Sequence, residues 1–282
     1  MGTLFVVATP IGNLDDFSKR ACVTLRQSDL ILVEDTRQTI KLLNHFDIKV
    51  KMLSYHKFNE KERVSEIINL LKEGKNISLV SDAGTPCISD PGYILIKEAL
   101  ENDIKVIGIP GCSAVITSLS VSGLDTSSFA FYGFVPTENK AKKELFERIK
   151  HSDISTKVIY ESPKRIIKLL EYIKKEIPGC VVSVCNELTK IHEHTIHGNI
   201  EKVYEKMKDD PNSLRGEYVV LINNERKKEE KCEVSIEALL IDLIIKNKCS
   251  LKDAIKLLNE KNKDLSKREI YNASIRLKNI IS

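Results

Sequence analysis

The chain contains no apolar run near the ~20 residues that a helix needs to cross a bilayer, which excludes a helical membrane span. Its seven cysteines (Cys22, Cys87, Cys112, Cys180, Cys185, Cys232 and Cys249) form no C-x-x-C pair and are odd in number, so reduced thiols are expected. Neither G-x-G-x-x-G nor G-x-x-x-x-G-K-[ST] occurs, which argues against a standard dinucleotide or P-loop site. The opening Met1-Gly-Thr-Leu-Phe-Val-Val has no basic segment before its apolar residues and no Ser or Thr where a myristoylation signal prefers one. A cytoplasmic protein is expected. There are no internal repeats and no low-complexity tracts.

What the chain does have is a soluble globular composition, with 30% charged and 42% hydrophobic residues in 282. That length suggests two domains or one large one. The net charge of +4 is small but unevenly placed. Residues 1–223 carry 30 basic and 30 acidic side chains, whereas residues 224–282 carry 14 and 10. The surplus fits either a solvated helical surface or a basic appendage that meets phosphates.

Short β-rich runs alternate with helical periodicity through the first half: Leu4–Ala8, Leu30–Glu34, Met52–His56, Ile77–Ser81 and Lys105–Pro110 each precede a helical pattern. The helix over 60–72 is the clearest, with Val64, Ile67, Ile68 and Leu71 on one face. Such alternation predicts a mostly parallel sheet with helices on both faces. The first α/β domain is placed at residues 1–121. A second, with strands at Phe129–Gly133, Lys157–Glu161, Val181–Leu188, His194–His197 and Glu217–Asn223 and a helix from Pro163, is placed at 122–223. Its closely spaced late strands predict a mixed sheet. Residues 224–233 read as a charged linker and 234–282 as a helical basic appendage, in which Ser250-x-x-Asp253 and Ser266-x-x-Glu269 fit capping boxes.

Residues 81–92 (Ser-Asp-Ala-Gly-Thr-Pro-Cys-Ile-Ser-Asp-Pro-Gly) carry the most information. Two glycines, two prolines and two aspartates follow a strand, at the edge where open α/β sheets bind ligands. Thr9-Pro10-Ile11-Gly12-Asn13 and Pro110-Gly111-Cys112-Ser113-Ala114 follow strands in the same way. Three such loops at one sheet edge predict a preformed pocket. Glu34-Asp35-Thr36-Arg37 opens a helix, where capping alone accounts for an acidic pair. In Ser162-Pro163-Lys164-Arg165, a capping Ser and a first-turn Pro are followed by two cations that oppose the helix dipole, which predicts a phosphate site. His192, His194 and His197 divide between the two faces of a strand and lack a cysteine pair, so no metal site is expected.

These motifs resemble, over the whole chain, the small-subunit ribosomal RNA cytidine 2′-O-methyltransferases of the tetrapyrrole methylase superfamily, which are class III S-adenosylmethionine-dependent enzymes. The matching stretches are Val7–Asp15, Glu34–Arg37, Leu53–His56, Val80–Pro86 and Ile88–Tyr93, continued by Tyr160–Pro163, Glu187–Lys190 and Arg215–Val219. The closing Leu251–Ala254 and Leu265–Glu269 are similar to the subfamily's C-terminal helices. The resemblance implies two α/β domains with a donor cleft between them, and a homodimer. It implies donor contacts at Pro10, Ala83, Gly84, Thr85, Ile88, Ser113 and Ala114, with Glu161, Leu188 and Gly216 from the second domain. Arg37, Lys164 and Arg165 are the expected RNA contacts. Cys112 stands where the family usually has proline, and Lys164 where it usually has histidine, which argues against acid–base chemistry at that position.

The activity so implied is 2′-O-methylation of a cytidine ribose in 16S ribosomal RNA of the assembled small subunit, with no DNA or membrane partner. In-line transfer from a sulfonium needs alignment first and a proton acceptor second. Glu34, Glu187 and Lys190 are the leading catalytic candidates, with Asp35, His56 and Glu161 behind them. Methylation of a small molecule such as a tetrapyrrole precursor is the alternative; the basic appendage speaks against it. A non-enzymatic RNA-binding module would have no need of three pocket loops.

Overall fold

The computed structural model describes residues 1–224, 235–261 and 265–281. The expected linker therefore lies outside the described residues except for Asn224. The described chain falls into two compact units, Met1–Asn224 and a helical unit within 225–282.

The larger unit opens with β1 (Thr3–Val7), α1 (Lys19–Gln27), β2 (Leu30–Val33), α2 (Thr36–His45), β3 (Met52–Ser54), α3 (Glu60–Lys72), β4 (Ile77–Leu79), α4 (Tyr93–Glu101) and β5 (Lys105–Ile109). These five strands form a sheet in the order β3-β2-β4-β1-β5, with every neighbouring pair parallel. From β1 the chain steps across to β2 and β3, then turns back through β4 to β5. Crossovers between parallel strands are right-handed, so this reversal sends α1 and α2 to one face and α3 and α4 to the other. Strand alternation supplies both cores. Leu30 and Leu32 pack with Val64, Ile67, Leu71 and Leu95, while Ile31 and Val33 pack with Ala21, Leu25 and Leu43.

There follow α5 (Ala114–Val121), β6 (Phe129–Phe134), α6 (Asn139–His151), β7 (Thr156–Glu161), α7 (Ile166–Glu176), β8 (Val181–Asn186), β9 (His194–Asn199), α8 (Ile200–Asp209) and β10 (Tyr218–Asn223). The second sheet runs β6-β7-β10-β8-β9; β6 and β7 are parallel and the remaining pairs antiparallel. One face packs on Phe146 of α6, Leu170 of α7 and Val203 of α8 through Ile159, Val182 and Val220. The other face is covered by α5, whose Val115 and Leu119 meet Val158, Cys185 and Leu221. This helix leaves the first sheet and packs on the second, joining the two layers.

Two local readings need correction. The expected helix from Pro163 begins instead at Ile166, and Ser162 does not cap it. The Glu161 carboxylate takes Arg165 Nη2 at 2.6 Å and the Ser162 amide at 2.6 Å, so residues 162–165 close as a turn ahead of the helix. Lys164 and Arg165 thus precede the helix instead of opposing its dipole. Strands β2, β3 and β4 also stop one to two residues short of their expected ends, leaving Glu34, His56 and Ser81 in loops.

In the smaller unit, α9 (Ile236–Asn247), α10 (Leu251–Lys261) and α11 (Lys267–Ile281) share a core of Leu240, Ala254, Leu258, Ile270, Ala273 and Leu277. Ser266 and Glu269 form the reciprocal capping box, each side chain accepting the other's amide. Ser250 accepts the Asp253 amide, but Asp253 answers through the Ser250 hydroxyl instead of its amide. No helix among the described residues is long and apolar enough to cross a membrane.

Leu119→Ala removes a buried side chain from the layer between α5 and the second sheet, and is expected to lower stability by about 2–5 kcal/mol. Urea unfolding checks this. A loss below about 1 kcal/mol would mean that α5 does not secure that face.

Candidate active site

Strand order accounts for the site. β4, β1 and β5 are neighbours, so the loops that follow them emerge side by side. Thr9 and Gly84 exchange backbone hydrogen bonds of 2.8 and 3.1 Å, and Thr9 Oγ1 donates to Ser81 O at 3.2 Å. Thr85 Oγ1 donates to Cys112 O at 2.9 Å, tying the second loop to the third. The three Pro/Gly-rich loops therefore meet as one surface. Gly84 holds φ +82°, and a side chain at Gly111 would meet Ala8 Cβ at 2.9 Å. Cys87 and Ser89 hold left-handed φ of 71° and 72° without being glycine, strain of the kind concentrated at ligand sites.

This surface and the ends of β6, β7 and β10 enclose a cavity of about 490 Å³, within the range of small-molecule sites. Of the residues expected from the sequence, Glu34, Ala83, Gly84, Thr85 and Ile88 line it from the first sheet's loops, Ser113 and Ala114 from the start of α5, and Glu161 and Leu188 from the second sheet. Pro10 is buried beside the lining residue Ile11 without lining the cavity itself. Gly216 also stands back from it. Its φ of +83° lets the backbone pass where a Cβ would meet Asn186 Oδ1 at 2.5 Å and Glu187 Cγ at 2.6 Å.

Glu187 and Lys190 are brought together outside the cavity wall. Lys190 Nζ donates to Glu187 Oε1 at 2.8 Å and to Glu217 Oε2 at 3.0 Å, and Glu217 lines the cavity. Burial works against the ammonium, but its two carboxylate partners outweigh that and hold the Lys190 pKa above its ordinary value. Lys190 is a cation at neutral pH, not a proton acceptor. The Arg37 guanidinium is forked on Asp35 at 2.7 and 3.1 Å, while Asp35 caps α2 through the Arg37 amide. Arg165 is held by buried Glu161. Of the three cations expected to meet RNA, only Lys164 is exposed with no carboxylate partner among the described residues.

Glu34, a candidate from the sequence, is joined in the cavity by Asp82 and Asp90, which residue types alone do not mark out. Burial, reinforced by Asp82 and only partly offset by a hydrogen bond from Ser81, pushes Asp90 up to about 6. Burial, then the charges of Asp90, Asp82 and Asp35, raises Glu34 as well. Asp82 is raised chiefly by burial. Tyr160 and Phe134 complete the wall from the second sheet. A Gly inside the strand-like Phe129–Phe134 was the available signal for the latter, since such a glycine marks a bulge. Chemically, clustered carboxylates in an otherwise apolar pocket favour a cationic ligand and provide a proton acceptor poised near neutral pH.

The family model of the tetrapyrrole (corrin/porphyrin) methylases matches residues 3–204. Ribosomal RNA small subunit methyltransferase I of Halalkalibacterium halodurans is 42% identical over 275 residues, covering 96% of this chain and 94% of that protein. The chain belongs to the ribosomal RNA small subunit methyltransferase I family, within the tetrapyrrole methylases. The family member of Haemophilus influenzae is 40% identical over 261 residues, or 92% of each chain. Among solved structures, diphthine synthase superposes with a TM-score of 0.62 at 14% identity, covering 79% of this chain and 90% of that one. Uroporphyrin-III C-methyltransferase from Thermus thermophilus, complexed with S-adenyl homocysteine, gives 0.54 at 16% identity, covering 79% and 98%. These two show that the chain shares the fold of diphthine synthase and of uroporphyrin-III C-methyltransferase.

The raised proton affinity of Asp90 sets a pH dependence. In the folded state Asp90 keeps its proton to about 6, whereas an unfolded aspartate releases it near 4. The folded state thus binds the extra proton in that window, and its stability falls as pH rises from about 4 to about 6. Asp90→Asn should remove this fall, as measured by urea unfolding at stepped pH. Parallel wild-type and variant curves would contradict the assignment.

Proposed function

We propose that this protein transfers a methyl group from S-adenosylmethionine to the 2′-hydroxyl of a cytidine in 16S ribosomal RNA, acting on the assembled small subunit in the cytoplasm as a homodimer. The observation that carries the reading is the pocket of three tied loops with a carboxylate cluster, in a chain about 40% identical to methyltransferase I proteins.

The cavity residues fit the donor. Ile11, Ile88, Ala114 and Leu188 offer apolar surface to an adenosine, and Glu34, Asp82 and Asp90 offer negative charge to a sulfonium. When bound, S-adenosylmethionine supplies a methyl group on a positively charged sulfur that departs as a neutral thioether. The chain's own part is to align the ribose oxygen and to accept its proton. Glu161 is unsuited to the second task, being buried and already bonded to Arg165 and the Ser162 amide. Lys190 is a cation. Glu187 is bonded to Lys190 outside the cavity wall. Glu34, Asp82 and Asp90 remain, and Asp90 is the proposed acceptor because its proton affinity is matched to neutral pH and its carboxylate lines the cavity. Lys164 and the basic helices after residue 235 are the proposed contacts to RNA phosphates.

Transfer of labelled methyl to small subunits from a strain lacking the protein, with naked ribosomal RNA in parallel, tests the reaction. Label at a cytidine ribose in subunits is expected; absence of label from both substrates, with the donor still bound, would sink the reading. Asp90→Asn should lower kcat by roughly 100-fold or more, well beyond any loss of donor affinity from the missing charge. Lys164→Ala should weaken RNA binding and reduce the slope of log K against log salt by about one. An unchanged slope would remove Lys164 from the phosphate contacts.

A further inference from the structure

The cavity rim carries an aromatic feature that neither donor alignment nor proton transfer uses. Phe134 ends β6, an edge strand of the second sheet, and lines the cavity while 58% exposed. Phe58, Tyr93 and Phe129 are also exposed, but of these rings only Phe134 lines the cavity.

The backbone is built to present it. Pairing of β6 with β7 runs in register from Phe129 to Phe131, then slips, so that Phe134 pairs with Tyr160. The slip is a β-bulge, and Gly133 within it adopts φ +71°, which strains any residue with a side chain. Bulges beside functional sites re-aim side chains. Here the neighbouring ring of Tyr160 stands edge-on to Phe134, with centroids 5.2 Å apart at 64°, and Tyr160 also contacts Phe131 at 4.8 Å and 63°. This buttressing fixes the Phe134 ring and leaves its solvent side free.

The position of the rim defines its ligand. A Cβ on Gly133 would lie 3.4 Å from Ser89 Oγ, so the bulge sits directly against the loop that carries Asp90. Phe134 and Asp90 line the same cavity, so the ring is placed for the base attached to the ribose whose proton Asp90 is proposed to accept. Single-stranded RNA is characteristically recognised by unstacked bases laid on aromatic side chains.

We infer that Phe134, held by Tyr160 and aimed by the Gly133 bulge, is the stacking platform for the nucleobase of the target nucleotide. The inference rests on the methyl-transfer reading above. It makes Phe134 a substrate-positioning residue, set at the rim from which a large RNA substrate enters.

The test compares wild type, Phe134→Ala and Phe134→Trp for methyl transfer to small subunits and, separately, for donor binding to the free protein by calorimetry. Phe134→Ala should raise the apparent KM for subunits by roughly tenfold, with donor affinity unchanged, and Phe134→Trp should restore it. An unaltered melting temperature confirms that the exposed position tolerates the change. An active wild type matched by Phe134→Ala overturns the inference alone. So does a variant that loses donor affinity with no change in KM for subunits, since the ring would then serve the donor's adenine. A wild type that transfers no methyl to subunits overturns the methyl-transfer reading and the inference with it.

Discussion

The two hydrogen bonds between Thr9 and Gly84 hold the site together, because they join loops that the chain separates by some seventy residues. Each loop alone is a strand-to-helix connector. Joined, they give the cavity a floor whose backbone is already ordered, so little further order is lost when a ligand binds. Thr85 extends the same connection to Cys112, and the left-handed turns at Cys87 and Ser89 bring Asp90 back into the cavity lining. The reversal of strand order is what makes this possible: it places β4 and β1 side by side with their carboxyl ends at the same edge.

Opposite fields then divide the labour. The whole chain carries a net charge of +4, yet the first-lobe wall of the cavity is acidic. Under the proposed function, the interior attracts a cationic donor and repels phosphate, while the exterior cations draw the RNA to the surface. A polyanion is thereby kept from filling the donor site, and only an uncharged hydroxyl and its ring have cause to enter. Two of the three cations expected to meet RNA are already paired: Asp35 forks Arg37, and Glu161 holds Arg165.

Much of this was legible in the chain, for identifiable reasons. Parallel strands and their helices are written in local periodicity, as Val64, Ile67, Ile68 and Leu71 of α3 illustrate, and all four are buried. The pocket was legible because Pro and Gly constrain loops in ways that do not depend on distant partners. Ion pairing was not. The turn at Ser162–Arg165 follows from the Glu161 carboxylate reaching four residues on, and nothing in residue types says that this bond outcompetes a capping Ser. The proton affinity of Asp90 depends on burial in a cavity whose walls come from distant parts of the sequence. Phe134 needed the register of β6 against β7 to be seen as exposed.

The packing of α5 has a consequence for modularity. By order along the chain this helix closes the first α/β repeat, and its first residue lines the cavity, yet its apolar face is core to the second sheet. A cut just after it leaves Val158, Cys185 and Leu221 bare, and a cut just before it severs the third pocket loop. The two sheets are therefore not interchangeable cassettes. Any lineage that recombined one half with a new partner would have to carry α5 across, or replace it with a helix matched to both neighbours.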